Sequence, residues 1–399
     1  MSSSVLGNSV ARREDPRLIQ GEGVYVGDMS PDGTLHAVFV RSDVPHGRVI
    51  ALDVDAAHAV PGVVEVVTPA DLDIEPLVIW GSPPECARSG LTTTARYVGD
   101  PIALIVATSE RAAADAASMC FADFDPLPVV VDPEAALDRD APQLFDDLAG
   151  NLALQERAGW EGDPLEGADV VIEARLVNQR LAPVPMEASG CLAIPESGGA
   201  LTVYLSTQDV FNTRDDLAGM LRMPAEDVRV IAPDVGGGFG AKGDLMVEHG
   251  VIADAARRLG KPVRWIERRT ENLTNMVHGR AQVQHLRLGA TREGRLVGVQ
   301  LDVIADLGAY PGVATWLPRY TLEMTCGCYD IDRASASFSS VVTNTTPTGA
   351  YRGAGRPEAI QALERGMDLL AAELGMDPVE IRRRNLLPRF DTPHTTAIG

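Results

Sequence analysis

A string of four glycines broken by one aromatic residue, Val235-Gly-Gly-Gly-Phe-Gly240, constrains this chain more than any other segment. It follows Val228-Arg-Val-Ile-Ala232, which is β-branched, bounded by Pro233 and readable as a strand. A helical stretch from Leu245 to Leu259 comes next. Without side chains, backbone N–H groups can converge between a strand and a helix, and such a turn favours a phosphate or oxyanion guest. Ala350-Tyr-Arg-Gly-Ala-Gly-Arg356 exposes backbone in the same way.

Composition then excludes several classes. At 399 residues, 45% hydrophobic and 23% charged, the chain reads as soluble and globular, with two or three domains. A formal charge of −21, from 35 Lys and Arg against 56 Asp and Glu, argues against binding nucleic acid or an anionic membrane. The first residues have no long apolar core and no later run is long enough to span a bilayer, so a cytoplasmic location is expected. Five cysteines (Cys86, Cys120, Cys191, Cys326, Cys328) suit a reducing compartment. Cys326-Gly-Cys328 lacks the further ligands that a zinc site needs.

Up to about residue 135, short strands alternate with helices. Strand candidates are Leu35 to Arg41, Arg48 to Val54, Gly62 to Thr68 and Val98 to Ala107, and Ser109 caps a helix running towards Cys120. A Pro/Asp/Ala-rich stretch, 136–151, reads as a linker. From residue 152 onward, longer strands alternate with well-punctuated helices. Ile360, Leu363, Met367, Leu370 and Leu374 make one apolar stripe, with Gly375 as its stop. Asp377-Pro-Val-Glu380 opens a further helix as a capping box. Beyond Pro388 nothing resembles a closing element, so the end at Gly399 reads as an interruption.

The segment Gly236 to Gly243 fails as a triphosphate loop, since Ala241 precedes Lys242 and Gly243 follows it. It fits a dinucleotide fingerprint better, although the next acid suited to a ribose, Glu267, comes late; a nucleotide-dependent dehydrogenase and a ligand-free structural turn both stay open. No Gly-x-Ser-x-Gly elbow and no His-Glu-x-x-His is present. Glu248-His249 on the helix after the glycine string could face a site, but reads better as an exposed acid beside a half-buried histidine.

The order and spacing of several pieces carry a resemblance. Arg12-Arg-Glu-Asp-Pro-Arg17, His36-Ala-Val-Phe-Val-Arg-Ser42, Pro61-Gly-Val63 and Arg96-Tyr-Val-Gly-Asp-Pro101 resemble the α/β hammerhead domain of the xanthine dehydrogenase, aldehyde oxidase and carbon monoxide dehydrogenase family. Pro185-Met-Glu187, Ser206-Thr-Gln208, the glycine string, Ala350-Tyr-Arg352 and Met376-Asp-Pro378 resemble its first molybdenum cofactor domain. The resemblance implies an α+β chain: a hammerhead domain over 1–135, a linker over 136–151 and a mixed α/β cofactor domain over 152–399.

It also implies a molybdenum hydroxylase subunit that oxidises an aldehyde or an N-heterocycle, with water as the oxygen source. Gln208, Gly237, Gly238, Phe239, Gly240 and Arg352 match residues around a molybdenum-molybdopterin, usually in the cytosine dinucleotide form. Gln208, Phe239 and Arg352 would approach the metal without ligating it, which suits a chain with no His/Cys cluster. A [2Fe-2S] cluster and FAD would sit on an iron-sulfur subunit and an FAD subunit. The general-base glutamate belongs to a second cofactor domain that this sequence lacks, so a partner polypeptide would complete the site; a non-catalytic assembly scaffold or a fragment is the alternative. Gly353 stands where carbon monoxide-oxidising members carry a copper-binding cysteine, and Gly243 where xanthine-oxidising members carry a glutamate. Arg268, Arg269 and His278 fall near the family's substrate approach or serve as solvated surface.

Overall fold

The computed structural model describes residues 4, 6–389 and 391–398, so the expectations attached to the extreme N-terminus and to Gly399 lie partly or wholly outside it. The first region supplies strands β1 (Leu35–Arg41), β2 (Gly47–Asp53), β3 (Val63–Val67), β4 (Thr94–Ala95), β5 (Pro101–Ala107) and β6 (Phe121–Pro126). Its helices are α1 (Asp15–Ile19), α2 (Asp55–His58) and α3 (Glu110–Ala117), the last capped by Ser109 Oγ accepting from Ala112 N–H. The second region adds β7 (Leu152–Gly159), β8 (Val170–Asn178), β9 (Gly190–Pro195), β10 (Leu201–Leu205), β11 (Val228–Ile231), β12 (Val263–Ile266), β13 (Gln282–Ala290), β14 (Leu296–Asp306) and β15 (Arg333–Val341). Its helices are α4 (Val210–Met220), α5 (Val247–Leu259), α6 (Arg269–Asn275), α7 (Pro318–Glu323), α8 (Arg356–Leu374) and α9 (Pro378–Asn385).

β5 is buried at every position, as a strand covered on both faces must be, and it lies between β1 and β3. The sheet that holds it has seven strands in the order β11-β10-β9-β12-β1-β5-β3. β1 pairs in parallel with β12, Leu35 opposite Val263, so strands from both regions of sequence share one sheet. One core runs under the junction, where Phe39 meets Trp265 edge-on with ring centroids 5.4 Å apart. A five-stranded sheet, β7-β15-β14-β13-β8, carries α8 across its face, and β4-β2-β6 form a small third sheet.

The stretch 136–151 is not the loose tether its composition suggests. Ala136, Leu144, Phe145 and Leu148 are buried, and the Asn151 amide accepts from Leu144 N–H and donates to the carbonyls of Ala136 and Pro142. A few well-spaced apolar side chains and one asparagine anchor it between two short 3-10 turns, Ala135–Leu137 and Ala149–Asn151. The apolar face of α8 is also shifted from the expected stripe. Leu363, Met367 and Leu370 are buried, but Ile360 is 47% exposed, and Ala359, Ala362, Gly366 and Ala371 complete the contact. Gly375 ends the helix in the left-handed conformation at φ 61°, as expected. Asp377 caps α9 by accepting from Val379 and Glu380 N–H, whereas Glu380 turns outward to Arg384. Among the described residues no helix is long and apolar enough to cross a membrane.

Candidate functional site

The glycine string does not feed directly into a helix. β11 ends at Ile231 and α5 begins at Val247, so the turn is a free-standing loop between them. Its entrance is pinned from the N-terminal segment, where Arg17 closes two 2.5 Å bonds on Asp234 and holds that carboxyl down at about 2. Beneath the turn sits a buried ion pair. Lys242, whose side chain is 1% exposed, donates from Nζ to the Glu187 carbonyl (2.9 Å), Glu187 Oε2 (3.0 Å) and Ser206 Oγ (2.7 Å). The same Oε2 accepts from Ser206 Oγ at 2.6 Å and from Gly236 N–H at 2.8 Å. All three ammonium protons are thus spent, and burial lowers the lysine's pKa.

The structure brings the matched residues to one place. Gln208 Oε1 accepts from Gly240 N–H at 2.9 Å, and the Phe239 carbonyl accepts from Arg352 N–H at 2.8 Å. Gln208, Phe239, Gly240 and residues 350–354 line one open hollow of about 380 Å³. Gly237 and Gly238 precede Phe239 in the turn: a Cβ at Gly238 would run into the Gln208 side chain, and one at Gly240 would stand 2.6 Å from the Ala350 carbonyl oxygen. Phe239 itself takes a left-handed φ of 55° and stays 41% exposed. Among the described residues, the N–H groups of Gly237, Gly238, Phe239 and Gly353 and the Gln208 Nε2 make no hydrogen bond, and three of these donors, on Gln208, Phe239 and Gly353, belong to residues that line the hollow. No group of three or more His, Cys, Asp or Glu among the described residues could hold a metal ion.

Several sequence readings change here. Glu248 and His249 are both buried, at 0% and 3% exposure, because α5 lies behind the seven-stranded sheet with most of its surface covered. Burial disfavours the Glu248 charge, but Arg41 at 2.7 Å and Arg88 overcome it and bring the carboxyl down to about 2. Burial, only partly offset by the neighbouring Glu248 charge, pushes His249 down to about 4. Glu267, the acid a dinucleotide would need, is 3% exposed and bonded to Ser189 N–H and Asn272 Nδ2. Arg268 is exposed, Arg269 donates to the carbonyls of Pro185 and Met186, and His278 contacts the Leu273 carbonyl. Sequence reasoning assigned no part to Lys242, Glu187 and Ser206 beneath the turn, although two of them lie in quoted motifs.

A molybdopterin cofactor-binding domain model matches residues 144–386, and the aldehyde oxidase and xanthine dehydrogenase a/b hammerhead domain model matches residues 20–128. The chain belongs to this molybdopterin-binding large-subunit family. Over 97% of its length it is 34% identical to the carbon monoxide dehydrogenase large chain of Hydrogenophaga pseudoflava, covering 51% of that protein. It is 30% identical to the nicotinate dehydrogenase large molybdopterin subunit of Eubacterium barkeri, covering 89% of it. Quinoline 2-oxidoreductase from Pseudomonas putida 86 superposes with a TM-score of 0.89 at 33% identity, over 98% of this chain and 51% of the other. The chain thus spans about half the length of most family relatives it matches, and nearly all of one.

Proposed function

We propose that this chain is the part of a molybdenum hydroxylase large subunit that carries the hammerhead domain, 1–135, and the first cofactor domain, 152–399, joined by 136–151. The observation that carries the reading is the hollow in which Gln208, Phe239, Gly240 and Arg352 meet with their neighbouring N–H donors unspent. Preorganised amide donors without carboxylate or thiolate competitors suit the oxygens of a molybdenum-molybdopterin, because they hold oxygen without displacing it. Glycines at 238 and 240 leave room that any side chain would take. When bound, such a cofactor supplies two-electron oxidation with an oxygen atom drawn from water.

Gln208 Nε2 and the backbone of Gly237, Gly238, Phe239 and Gly240 would hold one side of the group, and the Arg352 segment the other. The chain's own part is to bind and orient, since no candidate general base lies among the residues lining the hollow. That base belongs to a second cofactor domain on a partner polypeptide. The Eubacterium barkeri subunit, nearly matched end to end, supports a divided large subunit. An iron-sulfur subunit with [2Fe-2S] and an FAD subunit would carry electrons away, in a cytoplasmic complex. Relatives named for nicotinate and quinoline support an N-heterocycle as substrate, with an aldehyde as the other class. The cytosine dinucleotide form of the cofactor is part of the same proposal.

Mass spectrometry of the natively purified protein with everything that co-purifies tests this. About one molybdenum per chain together with a partner bearing the second cofactor domain is the expected result. No metal and no such partner would refute the enzyme reading of this chain in favour of a scaffold or a fragment.

A further inference from the structure

The 350–354 side of the hollow is held from beneath by one side chain. Arg280, 10% exposed, donates from Nη1 to the Tyr351 carbonyl (3.1 Å) and from Nη2 to the Arg352 carbonyl (2.8 Å). It is anchored by Glu358 Oε1 at 3.2 Å, in the first turn of α8, and its guanidinium lies 4.6 Å from the centroid of the Tyr351 ring. In a trans peptide the C=O and the following N–H point in opposite directions. Two carbonyls turned down onto Arg280 therefore turn the N–H groups of Arg352 and Gly353 the other way. The first lands on the Phe239 carbonyl and zips the two glycine-rich segments together. The second makes no hydrogen bond among the described residues, and Gly353 lines the hollow.

An independent observation points the same way. Arg280 and Ala281 are consecutive non-glycine residues in the left-handed region, at φ 68° and 60°. That conformation is costly for L-residues, and such strain persists where the surroundings over-determine it, most often beside functional sites. Here it lifts the guanidinium fork under the loop. A lysine could not replace it, because a single ammonium lacks the planar fork that grips two adjacent carbonyls while facing a carboxylate.

We propose that Arg280 is a positioning residue that locks the 350–354 loop so that Gly353 N–H donates to an oxygen of the molybdenum cofactor. This rests on the function proposed above. The test uses the full chain with its co-purifying partners, as wild type, Arg280→Lys and Arg280→Ala, read by hydrogen-exchange mass spectrometry and by molybdenum per chain. In Arg280→Lys the amides of Arg352 and Ala354 should exchange about tenfold faster, the factor expected for losing a well-made hydrogen bond. Peptides from α8 should exchange as in wild type, which shows that the fold is intact. Molybdenum per chain should fall several-fold, and added guanidinium ion should restore both readouts in Arg280→Ala. Unchanged loop exchange in Arg280→Lys overturns the clamp. Faster exchange with full molybdenum content overturns its role at the site. A wild type with the expected exchange pattern but no molybdenum refutes the proposed function itself, and the role of Arg280 falls with it.

Discussion

Glu267→Gln should make this protein more stable at neutral pH, not less. Glu267 follows β12, is 3% exposed, and is close enough to Lys242 to act on its charge. Its Oε2 accepts from Ser189 N–H at 2.9 Å and Asn272 Nδ2 at 2.6 Å, while Oε1 is buried without a partner. Burial outweighs those two bonds and pushes the carboxyl from 4.5 up to about 7. Between those pH values the folded chain keeps a proton that the unfolded chain has released, so stability falls as pH rises through the window and is undiminished below 4.5. At about 1.36 kcal/mol per pH unit, the interval costs the wild type about 3 kcal/mol by pH 8. Glutamine keeps an accepting oxygen for both donors, cannot ionise, and places an amide NH₂ where the lone oxygen stood. Urea unfolding across pH 4.5 to 8 should show the variant gaining on the wild type by up to about 3 kcal/mol as pH rises. Parallel curves, or a less stable variant at pH 8, would mean that Glu267 is ionised in the fold and that the argument is wrong.

Gly238→Ala should drive a methyl into the Gln208 side chain and cost about 1–3 kcal/mol, visible as a lower thermal midpoint and faster exchange of the turn. Gln208→Ala removes the acceptor for Gly240 N–H, a loss of about 1 kcal/mol that leaves the chain folded. Activity of the reconstituted complex should nevertheless drop, and wild-type rates would count against placing Gln208 at the cofactor. Glu248→Ala strips the buried Arg41 of the fully buried one of its two carboxylate partners and should cost about 3–5 kcal/mol in chemical denaturation. Because the Glu248 carboxyl is held at about 2, its contribution is complete above the ordinary value of 4.5 and is lost as pH falls towards 2; an acid titration of the variant should lack that loss.

Much of the fold was legible because it rests on periodicity. The apolar runs read at Leu35 to Arg41 and Val98 to Ala107, the Ser109 cap and the Gly375 stop are local signals, and each is met in the fold, the second strand starting three residues later at Pro101. The shared sheet was not legible, since the pairing of Leu35 with Val263 joins residues far apart in sequence and nothing in either strand names its partner. Glu248 misled for a related reason. Its charge reads as solvent-facing until Arg41, contributed by a distant strand, arrives to compensate it.

At the site the division falls between side chains and backbone. Gln208 and Arg352 could be matched because a motif fixes their identity, but what shapes the hollow is the direction of peptide groups, and side-chain identities do not report it directly. The glycines mark where a Cβ is excluded. They do not say that Gly236 N–H is spent on Glu187 while Gly237, Gly238 and Phe239 keep theirs. That distinction comes from the buried pairs beneath, Lys242 with Glu187 and Arg280 with Glu358, which take up inward-facing groups and leave outward-facing donors free. Buried ion pairs of this kind add little net stability when weighed against apolar replacements. Their placement directly under the two glycine-rich segments is therefore better explained by geometry: each gives a nearly featureless loop one conformation, and a rigid donor array can hold an oxygen without reorganising to meet it.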